Sequence, residues 1–128
     1  MASLGVDQDL YRRELLKGST ETLILSLLAE ESMYGYQLVR EIDRRSSGYF
    51  RLKEGTLYPA LHRIERDGLV ESAWTGPTNG HSRRYYKITA MGSERLASML
   101  REWDMFTAAV NLIANPVGNL AEGARNVQ

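Results

Sequence analysis

Arginine side chains in two short segments are the clearest chemical feature of the sequence. Arg63 and Arg66 lie three residues apart, and Arg83 and Arg84 are adjacent. A guanidinium group presents a planar set of donors that fits a phosphate or the two acceptors on the edge of guanine. These residues therefore indicate recognition of phosphate groups or base edges.

The distribution of charge supports this interpretation, although the chain has no net charge. Residues 36–89 contain ten basic and six acidic side chains, whereas residues 1–35 contain three basic and six acidic ones. A basic module within a neutral protein is typical of a nucleic-acid-binding segment. Taken alone, the same excess also fits an ordinary solvated surface.

Length and composition exclude several other classes of protein. The 128 residues suffice for one modest core, and 43% hydrophobic residues are typical of a folded chain. Without cysteine there is no disulfide framework, no thiolate metal site and no cysteine nucleophile. The start of the chain does not resemble a signal peptide, and no apolar stretch is long enough for a membrane span. We therefore expect a cytoplasmic protein with no membrane partner.

Candidate catalytic groups are lacking. The two histidines, His62 and His81, do not have the spacing of metal ligands. No glycine-rich phosphate loop follows a predicted strand, and no nucleophile-elbow pattern is present. We expect no enzymatic activity, no catalytic residues, no metal and no cofactor.

The order of the predicted elements is typical of a winged helix-turn-helix. We expect a mainly α fold with a small β-hairpin and a long C-terminal dimerisation helix. The corresponding domains are residues 1–89 for the N-terminal helix and DNA-binding module, 90–114 for the dimerisation helix and 115–128 for a flexible tail. Ser19 and Thr89 are expected to cap the helices that follow them. The predicted elements are helices at 7–17, after Ser19, at 35–45, at 54–67 and at 90–114, and strands at 69–75 and 83–89 around a turn at 76–80.

By its order in the chain, the helix at 54–67 is the one that enters the major groove of duplex DNA. At about 100° per residue, Leu57, Leu61 and Ile64 share one side and are expected in the core. Pro59 is acceptable only near the start of this helix, which begins tightly or kinks there. The residues left for DNA are Thr56, Tyr58, Pro59, His62, Arg63 and Arg66. The alternative for Arg63 and Arg66 is a solvated surface position paired with Glu65 or Asp67.

The hairpin is predicted to form a wing that makes a second contact with DNA. His81, Arg83 and Arg84 lie at or just after its turn, where a hairpin tip reaches a phosphate or the minor groove. Because adjacent strand residues point to opposite faces, a flat strand directs only one of the two arginines at DNA. Tyr85 and Tyr86 are interpreted as core or interface residues.

The last helix carries an apolar seam with the spacing of a coiled coil. A monomer of this size has little left to cover such a seam, so we expect a homodimer. Trp103 is interpreted as an interface anchor, or alternatively as the wall of an aromatic pocket between subunits. The seam residues are Leu96, Met99, Trp103, Phe106, Val110 and Ile113.

Three segments together resemble the PadR-like family of bacterial transcriptional regulators. The most specific are Tyr34-Gly35-Tyr36, Glu54-Gly55-Thr56-Leu57-Tyr58-Pro59 and Arg84-Tyr85-Tyr86, and the resemblance extends over about residues 15–113. It implies a winged helix with a C-terminal dimerisation helix, repression by operator binding and release by a small effector. The single C-terminal helix is similar to the short subgroup, which includes multidrug-binding members.

The resemblance also implies roles for individual residues. The positions that match ones near DNA are Tyr36, Gln37, Lys53, Thr56, Tyr58, Pro59, Arg63, Arg83 and Arg84. The N-terminal helix is expected to pack on the partner's C-terminal helix, burying Leu10, Leu15 and Leu16. Trp103 matches a tryptophan that stacks on planar drugs, with Met99 and Phe106 beside it. The alternative is that Met99 and Phe106 fill the dimer centre and leave no pocket. The effector class remains open among a phenolic acid, a cationic drug and, with least support, a metal.

The leading hypothesis is an effector-responsive dimeric repressor of duplex DNA. Two alternatives use the same surfaces differently. One is a dimeric small-molecule-binding module without operator binding, and the other is a winged helix that binds another protein.

Overall fold

The computed structural model describes residues 4–78 and 81–116. The helices are α1 (Leu4–Lys17), α2 (Thr20–Leu28), α3 (Gly35–Arg45), α4 (Glu54–Arg66) and α5 (Ala90–Ala114), and the strands are β1 (Met33–Tyr34), β2 (Val70–Thr78) and β3 (His81–Ile88). This confirms the mainly α winged helix-turn-helix with a long C-terminal helix. The chain divides into two units, one ending at Leu96 and one beginning at Ala97.

The division at residue 89 between the DNA-binding module and the dimerisation helix stays a prediction. α5 does begin directly after Thr89, but its first residues, up to Leu96, belong to the first unit. Most of the predicted tail, residues 117–128, lies outside the described residues.

The core of the first unit forms around α2, whose apolar residues face nearly all directions. Ile24 and Leu25 are fully buried and are joined by Leu38 of α3 and Leu61 of α4. Such an all-round apolar helix is stable only where other elements surround it. The prediction that α2 is the central buried helix is confirmed.

Ser19 does not cap α2 as predicted. Its backbone lies in the helical region, at φ −117° and ψ −12°, and its hydroxyl makes no capping bond. Instead, the hydroxyl donates to the Leu15 carbonyl at 3.2 Å, and the Thr20 hydroxyl donates to the Leu16 carbonyl at 2.8 Å. The Leu16 carbonyl also accepts from the Ser19 amide at 2.9 Å. The two hydroxyls therefore add hydrogen bonds to carbonyls in the last turn of α1, where helical donors run out.

Thr89, by contrast, caps α5 as predicted. Its hydroxyl oxygen accepts a hydrogen bond from the Gly92 amide at 3.0 Å and donates to the Gly68 carbonyl at 2.7 Å. The Thr89 amide also donates to the Leu69 carbonyl at 3.0 Å. One residue therefore joins the start of α5 to the segment between α4 and β2.

The sheet differs from the predicted hairpin in two ways. β1 adds a third strand, and the order is β1-β3-β2 with Met33 opposite Tyr86. A strand of two residues is too short to show the alternating pattern from which strands are predicted. In addition, β2 continues through Gly76 and Pro77 to Thr78, where a turn was predicted, with a shift of register between Thr75 and Thr78. Proline, which lacks an amide proton, is compatible with such an irregularity.

Pro59 is accommodated inside α4, which begins at Glu54 and continues past it to Arg66. The position is still close to the helix start, where the Leu57 amide donates to the Lys53 carbonyl at 2.9 Å. The carbonyl that loses its helical donor belongs to Gly55, an exposed residue that water can reach.

A surface ion-pair network joins α3 to the segment after α2. Arg45 donates to both carboxylate oxygens of Glu30, at 2.7 and 2.8 Å, and to Glu41 at 3.0 Å. Arg44 also donates to Glu41, at 2.8 Å. Hydrogen bonds from Arg44 and Arg45 lower the pKa of Glu41 to about 2.

This network predicts an acid-dependent contribution to stability. A carboxylate with a lowered pKa stabilises the folded state above its ordinary pKa, and this contribution disappears as pH falls towards the folded value. Glu41→Gln should therefore be less stable than the parent at pH 7, and the difference should shrink between about pH 4.5 and about pH 2. Urea unfolding at several pH values measures it, with Glu31→Gln as the control, since Glu31 has no ion pair within the described residues. A difference that persists at pH 2 would contradict the assignment.

Gly92 predicts a second effect on stability. A Cβ atom at this position would lie 2.0 Å from the Leu69 carbonyl oxygen and 2.7 Å from Ile88. Gly92→Ala should destabilise the fold by about 3 kcal/mol, at the upper end of overpacking effects. Gly55→Ala is the matched control, because nothing lies within 4 Å of its added carbon, and a gain of up to about 1 kcal/mol is expected. Equal melting temperatures for the two variants would exclude the close contact at Gly92.

Candidate nucleic-acid interface

α4 separates its buried and exposed sides as the helical wheel predicts. Leu57, Leu61 and Ile64 are at most 1% exposed, so the core holds one side of the helix. All six predicted groove residues are exposed: Thr56, Tyr58, Pro59, His62, Arg63 and Arg66. The structure thus places them together on the surface of one helix, where they are available to a ligand as large as DNA.

Arg63 and Arg66 both form ion pairs at the surface. The Arg63 Nε lies 2.9 Å from a Glu21 carboxylate oxygen of α2, and the Arg66 Nε lies 3.3 Å from an Asp67 oxygen. The alternative in which these arginines pair with Glu65 or Asp67 therefore holds for Arg66. Arg63 pairs with a residue of a different helix. Exposed pairs of this kind contribute at most about 1 kcal/mol, so a phosphate or a base edge can replace the carboxylate.

The starts of α3 and α4 meet through Gly35 and Tyr58. A Cβ atom at residue 35 would lie 2.7 Å from the Tyr58 hydroxyl oxygen, so glycine permits this close approach. Beside them, Tyr36 is 62% exposed and Lys53, at the N-cap of α4, is also exposed, while Gln37 is half-buried. Tyr36 therefore lies in the same groove as Tyr58 and His62 of α4, and Lys53 directly precedes that helix.

The hairpin of β2 and β3, called the wing below, directs its two arginines differently. The Arg83 guanidinium lies 4.6 Å from the centre of the Tyr34 ring, which meets Tyr85 edge-on at 5.4 Å. Arg84 instead pairs with Glu65 of α4 at 3.0 Å. The opposite directions predicted for the two arginines are thus found. The side chain of His81 lies outside the part that the structure describes.

A groove of about 350 Å³ lies between α4 and the wing, and aromatic side chains form much of its wall. Trp74 lines it, is 66% exposed and was not among the predicted DNA residues. The other lining side chains include Tyr36, Tyr58, His62, Arg83 and Arg84. The alternation of Val70, Ser72 and Trp74 along β2 places Trp74 on the face that carries the core, beyond the core's edge. The same alternation in the sequence could have predicted that Trp74 lies on this face.

Tyr86 closes the bottom of this groove and belongs to the core, as predicted. It is 3% exposed, and burial raises the pKa of its hydroxyl above the ordinary value. The phenol therefore stays neutral over the physiological pH range and serves packing.

The second unit, which begins at Ala97, exposes large apolar side chains along α5. Trp103, Phe106, Val110 and Ile113 of the predicted seam are between 44% and 84% exposed, and Met99 is half-buried. The Trp103 and Phe106 rings stack with centres 6.1 Å apart and planes at 26°. Leu96 differs from the other seam residues, because it is 8% exposed and belongs to the core of the first unit.

Residues 4–78 and 81–116 contain no cluster of three side chains that could hold a metal ion. Across the same ranges, none of the helices combines the length and the apolar character that a membrane span requires.

Comparisons with known proteins agree with this geometry. The model of the transcriptional regulator PadR-like family matches residues 24–98. The transcriptional regulator Rv3488 of Mycobacterium tuberculosis is 36% identical over 84 residues, which cover 66% of this chain and 75% of the relative.

Solved structures show the same fold. A PadR-like transcriptional regulator from Bacillus cereus is 32% identical with a TM-score of 0.69, over 80% of this chain and 97% of the other. A PadR family regulator from Eggerthella lenta is 29% identical with a TM-score of 0.77, over 90% of this chain and 97% of the other. The family consists of regulators rather than enzymes, and the chain belongs to the PadR-like family of DNA-binding transcriptional regulators.

Proposed function

We propose that this regulator is a homodimeric cytoplasmic repressor that binds operator DNA and is released by a planar aromatic effector. The observation that carries the proposal is the exposed side of α4, with its row of DNA-compatible side chains beside the wing. α4 enters the major groove, where Arg63 reads guanine and Thr56, Tyr58 or Pro59 contacts a thymine methyl group. Tyr36, Gln37, Lys53, His62, Arg66 and Arg83 fix the position on the duplex through its backbone.

Charge is the reason that one copy is insufficient. Residues 36–89 have an excess of only four basic side chains, and Glu21 and Asp67 already occupy Arg63 and Arg66. Two copies double the number of phosphate contacts and read two half-sites about 34 Å apart along one face of the duplex.

The exposed apolar residues of two helices support the dimer. Trp103, Phe106 and Ile113 of α5 lack cover within their own unit, and Leu10 and Leu15 of α1 are 56% and 46% exposed. A soluble chain seldom leaves so many large apolar side chains in water. A second copy with the same seam provides the simplest cover, as in a coiled coil.

Trp103 and Phe106 support the class of effector. Their near-parallel exposed rings form a flat aromatic surface, on which a planar aromatic molecule can stack. Bound at the seam of the dimer, such a molecule favours one arrangement of the two copies over another. Release from DNA follows if the favoured arrangement no longer spans both half-sites.

The proposal is tested by gel shift on the DNA upstream of the protein's own gene. We expect tighter binding there than to random duplex of equal length, and a steep loss of affinity with salt, because counterions are released from the phosphates. Equal affinity for both DNAs at every salt concentration would contradict the repressor function.

Arg63→Ala distinguishes base reading from phosphate contact. If Arg63 reads guanine, the variant loses about 1–3 kcal/mol on operator DNA and much less on random DNA. Arg66→Ala is the matched control on the same exposed side of α4, and its loss should be similar on both DNAs. Equal losses for Arg63→Ala on the two DNAs would assign Arg63 to a phosphate instead.

Trp103→Ala tests the seam and the effector together. Truncation of a central aromatic anchor should weaken dimerisation by about 2 kcal/mol or more, as measured by sedimentation. Trp103 fluorescence, followed in a Trp74→Phe background, should be quenched by planar aromatic compounds. Trp74→Phe itself should leave the oligomeric state unchanged. If neither dimerisation nor ligand affinity changes in Trp103→Ala, Trp103 has neither role.

A further inference from the structure

Three polar side chains join the wing to the end of α4. The Arg84 Nη2 lies 3.0 Å from one carboxylate oxygen of Glu65, and the Arg84 Nε donates to the Ser72 hydroxyl at 2.8 Å. The Ser72 hydroxyl in turn donates to the other carboxylate oxygen of Glu65. This wing cluster therefore closes a ring of hydrogen bonds across α4, β2 and β3.

Glu65 is unfavourable at its position for two reasons unless it has a cationic partner. It lies in the last turn of α4, where the helix dipole disfavours a carboxylate. It also adds negative charge to a helix that binds an anionic polymer. Arg84 offsets both effects. Because its guanidinium already donates to Glu65 and Ser72, we do not assign it primarily to a phosphate contact.

The position of Arg84 in the sheet explains this arrangement. Arg84 lies on the same face of β3 as Tyr86, with its guanidinium 5.7 Å from the buried Tyr86 ring, and opposite Trp74 of β2. This face is directed towards the core and α4, whereas Arg83 lies on the other face. The Arg84 guanidinium therefore lies between the buried Tyr86 and the exposed Trp74, at the edge of the core.

We propose that Glu65, Ser72 and Arg84 act as positioning residues, which fix the wing relative to α4 so that both elements reach the duplex together. The inference rests on the proposed DNA contacts of α4 and the wing. A rigid wing keeps its contacts without an ordering cost on binding, and this preorganisation raises affinity. Arg84 then acts through Glu65 and not through DNA.

The sign of the effect of Glu65→Gln tests the proposal. Simple electrostatics predicts that removal of a carboxylate near DNA raises affinity, whereas loss of the wing cluster lowers it by about three- to tenfold, the effect of one net hydrogen bond. Glu71→Gln is the matched control, because Glu71 is an exposed acid on β2 that has no ion pair within the described residues, and it should bind slightly more tightly. Thermal unfolding checks that both variants are folded.

A double-mutant cycle separates positioning from direct contact. If Arg84 acts through Glu65, the double variant Glu65→Gln/Arg84→Gln binds DNA about as well as either single variant. If Arg84 contacts a phosphate, Glu65→Gln strengthens binding, Arg84→Gln weakens it, and the effects add. That second outcome would overturn the proposal.

Trp74 provides a readout that needs no DNA, so that failure of the repressor function and failure of this inference can be distinguished. In a Trp103→Phe background, Trp74 is the remaining tryptophan, and it lies opposite Arg84 in the sheet. Glu65→Gln should lower its fluorescence anisotropy and increase its quenching by acrylamide, and Glu71→Gln should change neither. Unchanged Trp74 fluorescence in Glu65→Gln would overturn the inference even if the parent binds its operator.

Discussion

The packing of α4 against the core is the interaction on which the rest of the molecule depends. Leu57, Leu61 and Ile64 are buried to 1% or less, and each such side chain contributes about 1.5–3 kcal/mol. Because one helix has a single orientation about its axis, burial of these three residues also determines which residues face outward. The exposed side of α4 is therefore a consequence of hydrophobic packing alone.

Two groups of surface arginines differ in their pairing, one with several carboxylate hydrogen bonds in a network and one with a single ion pair each. Arg63 and Arg66 each have one carboxylate partner, whereas a larger network joins Glu30, Glu41, Arg44 and Arg45. The network stabilises the fold through several mutual bonds. The single pairs leave guanidinium groups that exchange partners at little cost, as binding to a phosphate requires.

Much of the fold was predictable because its signals are local. α3 spans the predicted residues 35–45, and Thr89 caps α5 with a hydroxyl that accepts from an amide three residues later. Ser19 misled the prediction because a serine hydroxyl can also donate back to the preceding turn. β1 and the extension of β2 were not predicted, since both are stabilised by pairing with β3, a distant partner that local spacing does not reveal.

The sequence by itself determined the side of α4 that faces the solvent, the row of apolar residues along α5 and the opposite strand faces of Arg83 and Arg84, because periodicity follows from backbone geometry alone. Only the tertiary structure decided which arginine is held by a partner and which stacks on a ring. Glu65 and Arg84 are 19 residues apart in the sequence, and Glu30 and Arg45 are 15 residues apart. Both pairs are brought together by packing between elements. Side-chain partners across such distances depend on where each element lies in space, which no local pattern encodes.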